Sequence, residues 1–495
     1  MTSAAPTPRP AGPAGPPFPS LVIGARTLVP HGSFAETQAA FLQPDAATVA
    51  ALGRLLEAHR IGVVAHFYMD AELQGVLSAC DWPHIHVSDS LAMADAAVKM
   101  AEAGVGAVIV LGVDFMSENV RAVLDATGHA SVPVYRAAAQ LIGCSLAESA
   151  EAREYGAWLT RAARTPHSLH VIYINTSLRV KAMSQALVPT ITCTSSNVVQ
   201  TLLQAAAQIP DVTIWYGPDT YMGRNLEAML AQYAALTDAE IAALHPAHGR
   251  ASLDALRRRF HYFEQGVCIV HHLFGAEVTA QVQRDYPDAF YAAHLEVPGE
   301  MFALAAAAAR HGRGVVGSTS NILSFIAGKV AEAVELPGAA RLRVVLGTEA
   351  GMITPIVRKV QETLRAHRRD DVEVEIIFPV ASEAVAQAPG SGLGVIPGVA
   401  AGEGCSTAGG CATCPYMKMN SLEALLRVCE AIGTPAEAGL AGHAPRRTTE
   451  TVDGRTIADL GGEPILYMRA FQRSGALPDA LVAQVLAGGA GRPRA

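Results

Sequence analysis

Residues 405–420 read CSTAGGCATCPYMKMN, placing Cys405, Cys411 and Cys414 within ten positions, while Cys80, Cys144, Cys193, Cys268 and Cys429 lie far apart. Eight cysteines in 495 residues are too sparse for a disulfide scaffold. Clustered thiols then indicate metal or redox chemistry in a reducing compartment, taken to be the cytoplasm. Two arrangements are open. Cys405, Cys411 and Cys414 with a fourth ligand would make a structural zinc or redox-sensing site. Alternatively, one thiolate from each of three distant places would hold three irons of a cubane and leave the fourth open. A radical enzyme using S-adenosylmethionine is disfavoured, because no C-x3-C-x2-C occurs.

Polar residues recur at the ends of apolar runs, and these runs form three similar series. The first is IGVVAHFYMD, VSDSLAMADAAVKMA, AVIVLGVDFM; the second LHVIYINTS, CTSSNVVQTLLQAA, VTIWYGPDTYMG; the third AFYAAHLEVP, GSTSNILSFIAGKVA, LRVVLGTEAGM. Each reads as a buried strand, a Ser/Thr turn opening a helix, and a second buried strand ending in glycine. His66 to Ser90, Tyr173 to Ser195 and His294 to Ser318 are 24, 22 and 24 residues apart. Such units predict parallel sheets with helices on both faces, and ligands bind beyond the carboxyl ends of the strands. The turns SDS, TSS and STS are expected to cap helices, whose free N–H groups attract anions. A cysteine follows each series: Cys144, Cys268 and the cluster opening at Cys405.

A net charge of −8 without a long basic run gives no footprint for nucleic acid or an anionic membrane. The longest apolar stretches fall short of the roughly 20 residues needed to span a bilayer. The proline-rich start lacks the apolar core of a secretion signal and is expected to be unfolded. The expected organisation is a tail over 1–44, α/β repeats over 45–144, 145–268 and 269–404, a ligand segment over 405–435, and a tail over 436–495.

Taken in order, HFYMD, SDSLAMA, GVDFM, CSLAE, YINTS, TSSN, PDTYMGR, CIVH, HLE, GSTS, GTEAG and CPYMKMN resemble the motif series of the quinolinate synthases, over about residues 45–435. The resemblance implies an α/β fold of three pseudo-symmetric αβα domains, with small parallel sheets arranged as a triangle around a central active site. It implies condensation of iminoaspartate with dihydroxyacetone phosphate to quinolinate, with loss of phosphate and water, and functional coupling to L-aspartate oxidase. The implied cofactor is a 4Fe-4S cluster held by Cys144, Cys268 and Cys414, its open iron acting as a Lewis acid. Substrate contacts carried over are His66, Ser90, Tyr173, Asn175, Ser195, His271, His294, Glu296 and Thr319, with Tyr68, His294 and Glu296 as the catalytic set.

Gly223 and Arg224 also match, the arginine as a possible brace for its loop. Cys405 and Cys411 are spaced C-x5-C-x2-C with Cys414, where relatives of this pattern have C-x2-C-x2-C. They are either spare thiols or a regulatory disulfide or stand-in ligand. Cys80, Cys193 and Cys429 read as small buried residues. The family's HPE is His294-Leu295-Glu296 here, without the stiffening proline. The added sequence between Arg224 and Cys268 is expected to form peripheral helices.

Overall fold

The computed structural model describes residues 18–379 and 413–488; Cys405 and Cys411 lie outside the described residues. Strands β1 (Ser20–Ile23) and β2 (Leu28–His31) come first. A first sheet follows, of β3 (Ile61–His66), β4 (Ile85–Ser88), β5 (Ala107–Leu111) and β6 (Val134–Arg136), in the order β4-β3-β5-β6. The second contains β7 (Ser168–Tyr173), β8 (Thr190–Cys193), β9 (Thr213–Gly217) and β10 (Phe260–Tyr262), ordered β10-β9-β7-β8. The third contains β11 (Phe290–His294), β12 (Gly314–Gly317), β13 (Ala340–Gly347) and β14 (Val372–Ile377), ordered β12-β11-β13-β14-β1-β2.

Pairing is parallel within each set of four, and each set has the same topology: the second strand lies outside the first, and the third and fourth lie on the other side. The chain therefore reverses its winding between first and third strands, which opens a crevice at their carboxyl ends. Near-continuous apolar runs form these strands because helices cover both faces: β3, β5, β7 and β9 are buried along their whole length. The α/β class and small parallel sheets expected from sequence are present.

Both expected tails contain folded structure. Leu21 and Ile23 are fully buried, and β1 pairs antiparallel with β14, covering what would be an open sheet edge. The Ser20 hydroxyl also donates to Glu375 at 2.8 Å. Four residues, SLVI, are enough for this pairing, and their signal is lost when composition is averaged over the neighbouring prolines and glycines. At the other end, a helix over Ile457–Ser474 packs on the helix Leu178–Leu187 and buries Leu460, Ile465, Met468 and Phe471. Gly461 and Pro464 lower its intrinsic helix propensity, but packing overrides that preference. A Cβ at Gly461 would stand 2.3 Å from the Leu178 carbonyl, so the contact itself requires glycine.

The sequence between Arg224 and Cys268 forms helices over Asp238–Leu244 and Arg250–Arg258, but it also supplies β10, the fourth strand of the second sheet. Among the described residues, no helix is long and apolar enough to cross a membrane.

His170, in the middle of β7, is fully buried between the Tyr155 hydroxyl, 2.8 Å from Nε2, and the Thr190 hydroxyl, 3.3 Å from Nδ1. Burial pushes its pKa down to about 3. From its ordinary value of 6.5 down to that pH, the unfolded chain holds a proton here that the folded chain lacks. Stability is therefore complete above pH 6.5 and falls on acidification, by about 1.4 kcal/mol per pH unit from this residue. We expect His170→Gln to lower stability at pH 7 but to flatten its decline between pH 6.5 and 4.5, as read from denaturant unfolding.

Candidate active site

Sheet register explains why the spacings repeat. His66 is paired with Ser88, Tyr173 with Cys193 and His294 with Gly317. Two residues beyond each partner stand Ser90, Ser195 and Thr319. The structural equivalent in the third unit is thus Thr319 rather than Ser318. Two residues beyond each strand end stand Tyr68, Asn175 and Glu296. All nine line one cavity of about 740 Å³ of atom-free space, together with His271, Cys144, Cys268 and Cys414. Every site residue carried over from the motifs therefore meets at one place.

The turns differ in detail from the expectation. In the first, Asp89 rather than a serine caps the helix Ser90–Glu102, accepting the N–H groups of Leu91 and Ala92. In the second, the helix starts at Val198, and Asn197 folds back to accept the Thr194 N–H at 2.8 Å. Only in the third does the turn serine cap: Ser318 accepts the Asn321 N–H at the start of the helix Thr319–Glu335. Asp89 takes the cap in the first turn because a carboxylate is also a strong N-cap acceptor, whereas the Asn197 side chain makes no cap hydrogen bond to its helix.

Two histidines are held in one tautomer by the same local bond. The Tyr68 N–H donates to His66 Nδ1 at 3.1 Å, and the Glu296 N–H to His294 Nδ1 at 3.3 Å. An Nδ1 that accepts leaves the proton of the neutral ring on Nε2. The Nε2 of His294 stands 3.4 Å from the Ser195 hydroxyl. Burial keeps both rings neutral, pushing His66 down to about 3 and His294 to about 4 despite the nearby Glu296 charge.

Glu296 is the electrostatic centre. Burial opposes its ionisation, but His294, His271 and the Tyr173 hydroxyl together hold the carboxyl well below the usual range. Tyr173 donates to its Oε1, and His271 Nδ1 lies 3.2 Å from its Oε2. The His271 and His294 rings stack with centroids 5.0 Å apart, and Tyr68 meets both edge-on. Leu295, in place of the family's proline, donates its N–H to the Gly317 carbonyl at 2.9 Å, a bond proline cannot make. Asn225 then holds the Leu295 and Val297 carbonyls at 2.9 and 2.8 Å. The turn carrying Glu296 is fixed by hydrogen bonds where the family uses a ring.

The three thiols are free and partly open to the cavity. Burial pushes Cys144 and Cys268 up to about 11 and Cys414 well above the ordinary thiol value. Backbone N–H groups oppose this, from Leu146 and Ala147 at Cys144 and from Tyr416 and Met417 at Cys414. Amides aimed at sulfur favour the thiolate that a metal requires. Among the described residues, ligand atoms within 4.8 Å of one another occur in the group Cys268, His271 and Glu296, and not in the three thiols together. The three thiols line one cavity, and sulfur donors suit a soft metal or metal–sulfur centre. Cys193 and Cys429 are fully buried away from the cavity, as expected, and Cys80 is half-buried.

Sequence reasoning missed Glu349, which lines the cavity and is only 3% exposed, and Thr348, whose hydroxyl is 3.2 Å from that of Tyr68. A signal was present: the third strand of each unit ends in glycine, any residue and an acid, as Gly112-Val113-Asp114, Gly217-Pro218-Asp219 and Gly347-Thr348-Glu349. Asp89 and Tyr416 also line the cavity, whereas Arg224 is exposed and outside it.

Fold and site define an α/β enzyme whose polar strand ends and thiols, drawn from three like sheets, converge on one cavity. Residues 50–438 match the family described as quinolinate synthetase A protein. A quinolinate synthase of Nicotiana tabacum, named chloroplastic, is 55% identical over 481 residues, 95% of this chain and 67% of the relative. Its Arabidopsis thaliana counterpart, also named chloroplastic, is 53% identical over 482 residues, 95% of this chain and 67% of the relative. A quinolinate synthase of Gloeothece citriformis is 28% identical over 264 residues, 53% of this chain and 62% of the relative. The chain belongs to the quinolinate synthase family, enzymes of NAD biosynthesis. Four plant relatives are named chloroplastic, which overturns the cytoplasmic expectation. Sparse free thiols report a reducing compartment without saying which one.

Proposed function

We propose that the enzyme condenses iminoaspartate, supplied by an L-aspartate oxidase, with dihydroxyacetone phosphate to form quinolinate, releasing phosphate and water. The single observation that supports this most is the meeting of all thirteen motif-derived residues at one cavity. Cys144, Cys268 and Cys414 would hold a 4Fe-4S cluster, which supplies a Lewis-acidic iron with an open coordination position.

The chain's own groups carry the remaining work. Ser90, Ser195 and Thr319, at or beside helix starts, hold carboxylate and phosphate oxygens and place the two substrates together. His66 and His294, neutral with the proton on Nε2, donate hydrogen bonds to substrate oxygen. Glu296, ionised and braced by Tyr173 and His271, accepts the protons that leave carbon and nitrogen during imine formation and ring closure, with Tyr68 beside it. Enclosure by the three units excludes bulk water, which strengthens each of these contacts.

The test is anaerobic purification with iron and sulfide analysis, followed by an assay of quinolinate from iminoaspartate and dihydroxyacetone phosphate. Both iron and acid-labile sulfide, and quinolinate formation, are expected. A colourless zinc protein without quinolinate formation would reject the proposal.

A further inference from the structure

The three acids that end the third strands are treated differently by the fold. Asp114 forms an ion pair with Arg136 at 2.6 Å. Asp219 caps the helix Thr220–Ala234 through the Met222 N–H and does not line the cavity. Among the described residues, Glu349 has neither a cationic partner nor a long helix to cap. One end of its carboxylate takes the backbone N–H of Cys414, while Oε2 is buried without a hydrogen-bond partner among the described residues. An unpartnered carboxylate oxygen in a cavity wall costs free energy unless a ligand satisfies it.

Its position is also tightly fixed. The turn after Glu349 lies against the turn that carries His66 and Tyr68: a Cβ on Gly351 would be 2.2 Å from the Phe67 carbonyl. Gln74, fully buried, donates to the carbonyls of both Phe67 and Gly351 and ties the two turns together. Next to Glu349, Thr348 contacts the Tyr68 hydroxyl. Glu349 is therefore held between a thiol residue on one side and a catalytic tyrosine on the other.

We propose that Glu349 is a further substrate-binding residue, one oxygen fixing the Cys414 backbone and the other hydrogen-bonding to a hydroxyl of the bound triose phosphate. Burial and the nearby Glu296 charge raise the Glu349 pKa well above the ordinary carboxyl value, and a hydroxyl, which both donates and accepts, pairs with this oxygen in either protonation state. Glu349 thus orients the triose by its hydroxyl, while Ser90, Ser195 and Thr319 take the anionic groups. The inference rests on the reaction proposed above.

The test uses Glu349→Asp in the anaerobically reconstituted enzyme, because the shorter side chain draws the carboxyl back from the substrate hydroxyl without changing its chemistry. Iron and sulfide content are expected to match wild type. The calorimetric Kd for dihydroxyacetone phosphate should rise about 10- to 100-fold, the scale of leaving one buried polar group unpaired. Quinolinate, which carries no hydroxyl, should bind as it does to wild type. Glu349→Gln, which keeps the length and can still pair with a hydroxyl, should show the same pattern with a smaller rise and serves if the aspartate variant does not fold. Unchanged triose affinity in both variants, or an equal loss for quinolinate, overturns this inference alone. A wild-type enzyme that makes no quinolinate overturns the functional reading and this inference with it.

Discussion

Cys268→Ala is expected to leave a folded protein that retains no stable iron–sulfur centre and forms no measurable quinolinate. Cys268 is one of three thiols facing the cavity, and its carrying loop leads within three residues to His271, which contacts Glu296. Removing it takes away one of the three proposed thiolate attachments and leaves His271 without its sulfur neighbour. The loss of turnover should exceed the roughly 10- to 100-fold typical of changes outside the ligand set. Cys193→Ala is the control that gives the experiment its meaning. Cys193 ends a strand and sits two residues from Ser195, but it is fully buried and outside the cavity. Its variant should keep iron, sulfide and most activity. Equal iron loss in both variants, or full iron retention in Cys268→Ala, would exclude Cys268 as a ligand.

Glu296→Gln should separate chemistry from assembly. The amide has nearly the same shape and can still accept the Tyr173 hydroxyl, so the packing around it is preserved. What disappears is the negative charge that His271 and His294 face from 3.2 and 3.5 Å. A neutral amide cannot accept a proton, and turnover is expected to fall about 10²- to 10⁴-fold, the usual contribution of a positioned base. Iron and sulfide content should remain at the wild-type level, because the proposed ligands are Cys144, Cys268 and Cys414 and not Glu296. Single-turnover quench of the reconstituted variant measures the chemical step directly. Wild-type turnover would remove Glu296 from the mechanism, and loss of iron would instead assign it to holding the metal centre.

Much of the site was legible before any coordinates because its parts are local. His66 and Tyr68, Tyr173 and Asn175, and His294 and Glu296 each lie at the end of a short apolar run. The serine or threonine that each faces follows at nearly constant distance. The 1-to-2 strand crossover sets that distance, so a repeated spacing in sequence became a repeated register in the sheets. Glu349 was harder to find because its significance lies in what its neighbours lack. Asp114 and Asp219 end equivalent strands and look the same in sequence, and only the packing shows that one has an arginine, one a helix, and the third an open cavity.

By itself the sequence determined the alternation of strands and helices, the threefold plan and the polar residues at strand ends. These depend on periodicity and turn chemistry within a few residues of each position. Tertiary structure alone decided which distant groups meet. It brought β1 across to the edge of the third sheet, laid the helix Ile457–Ser474 on the second unit, and set Asn225 under the Leu295 turn. Such contacts join residues tens to hundreds of positions apart, and their energy comes from complementary surfaces that exist only once the units have packed together.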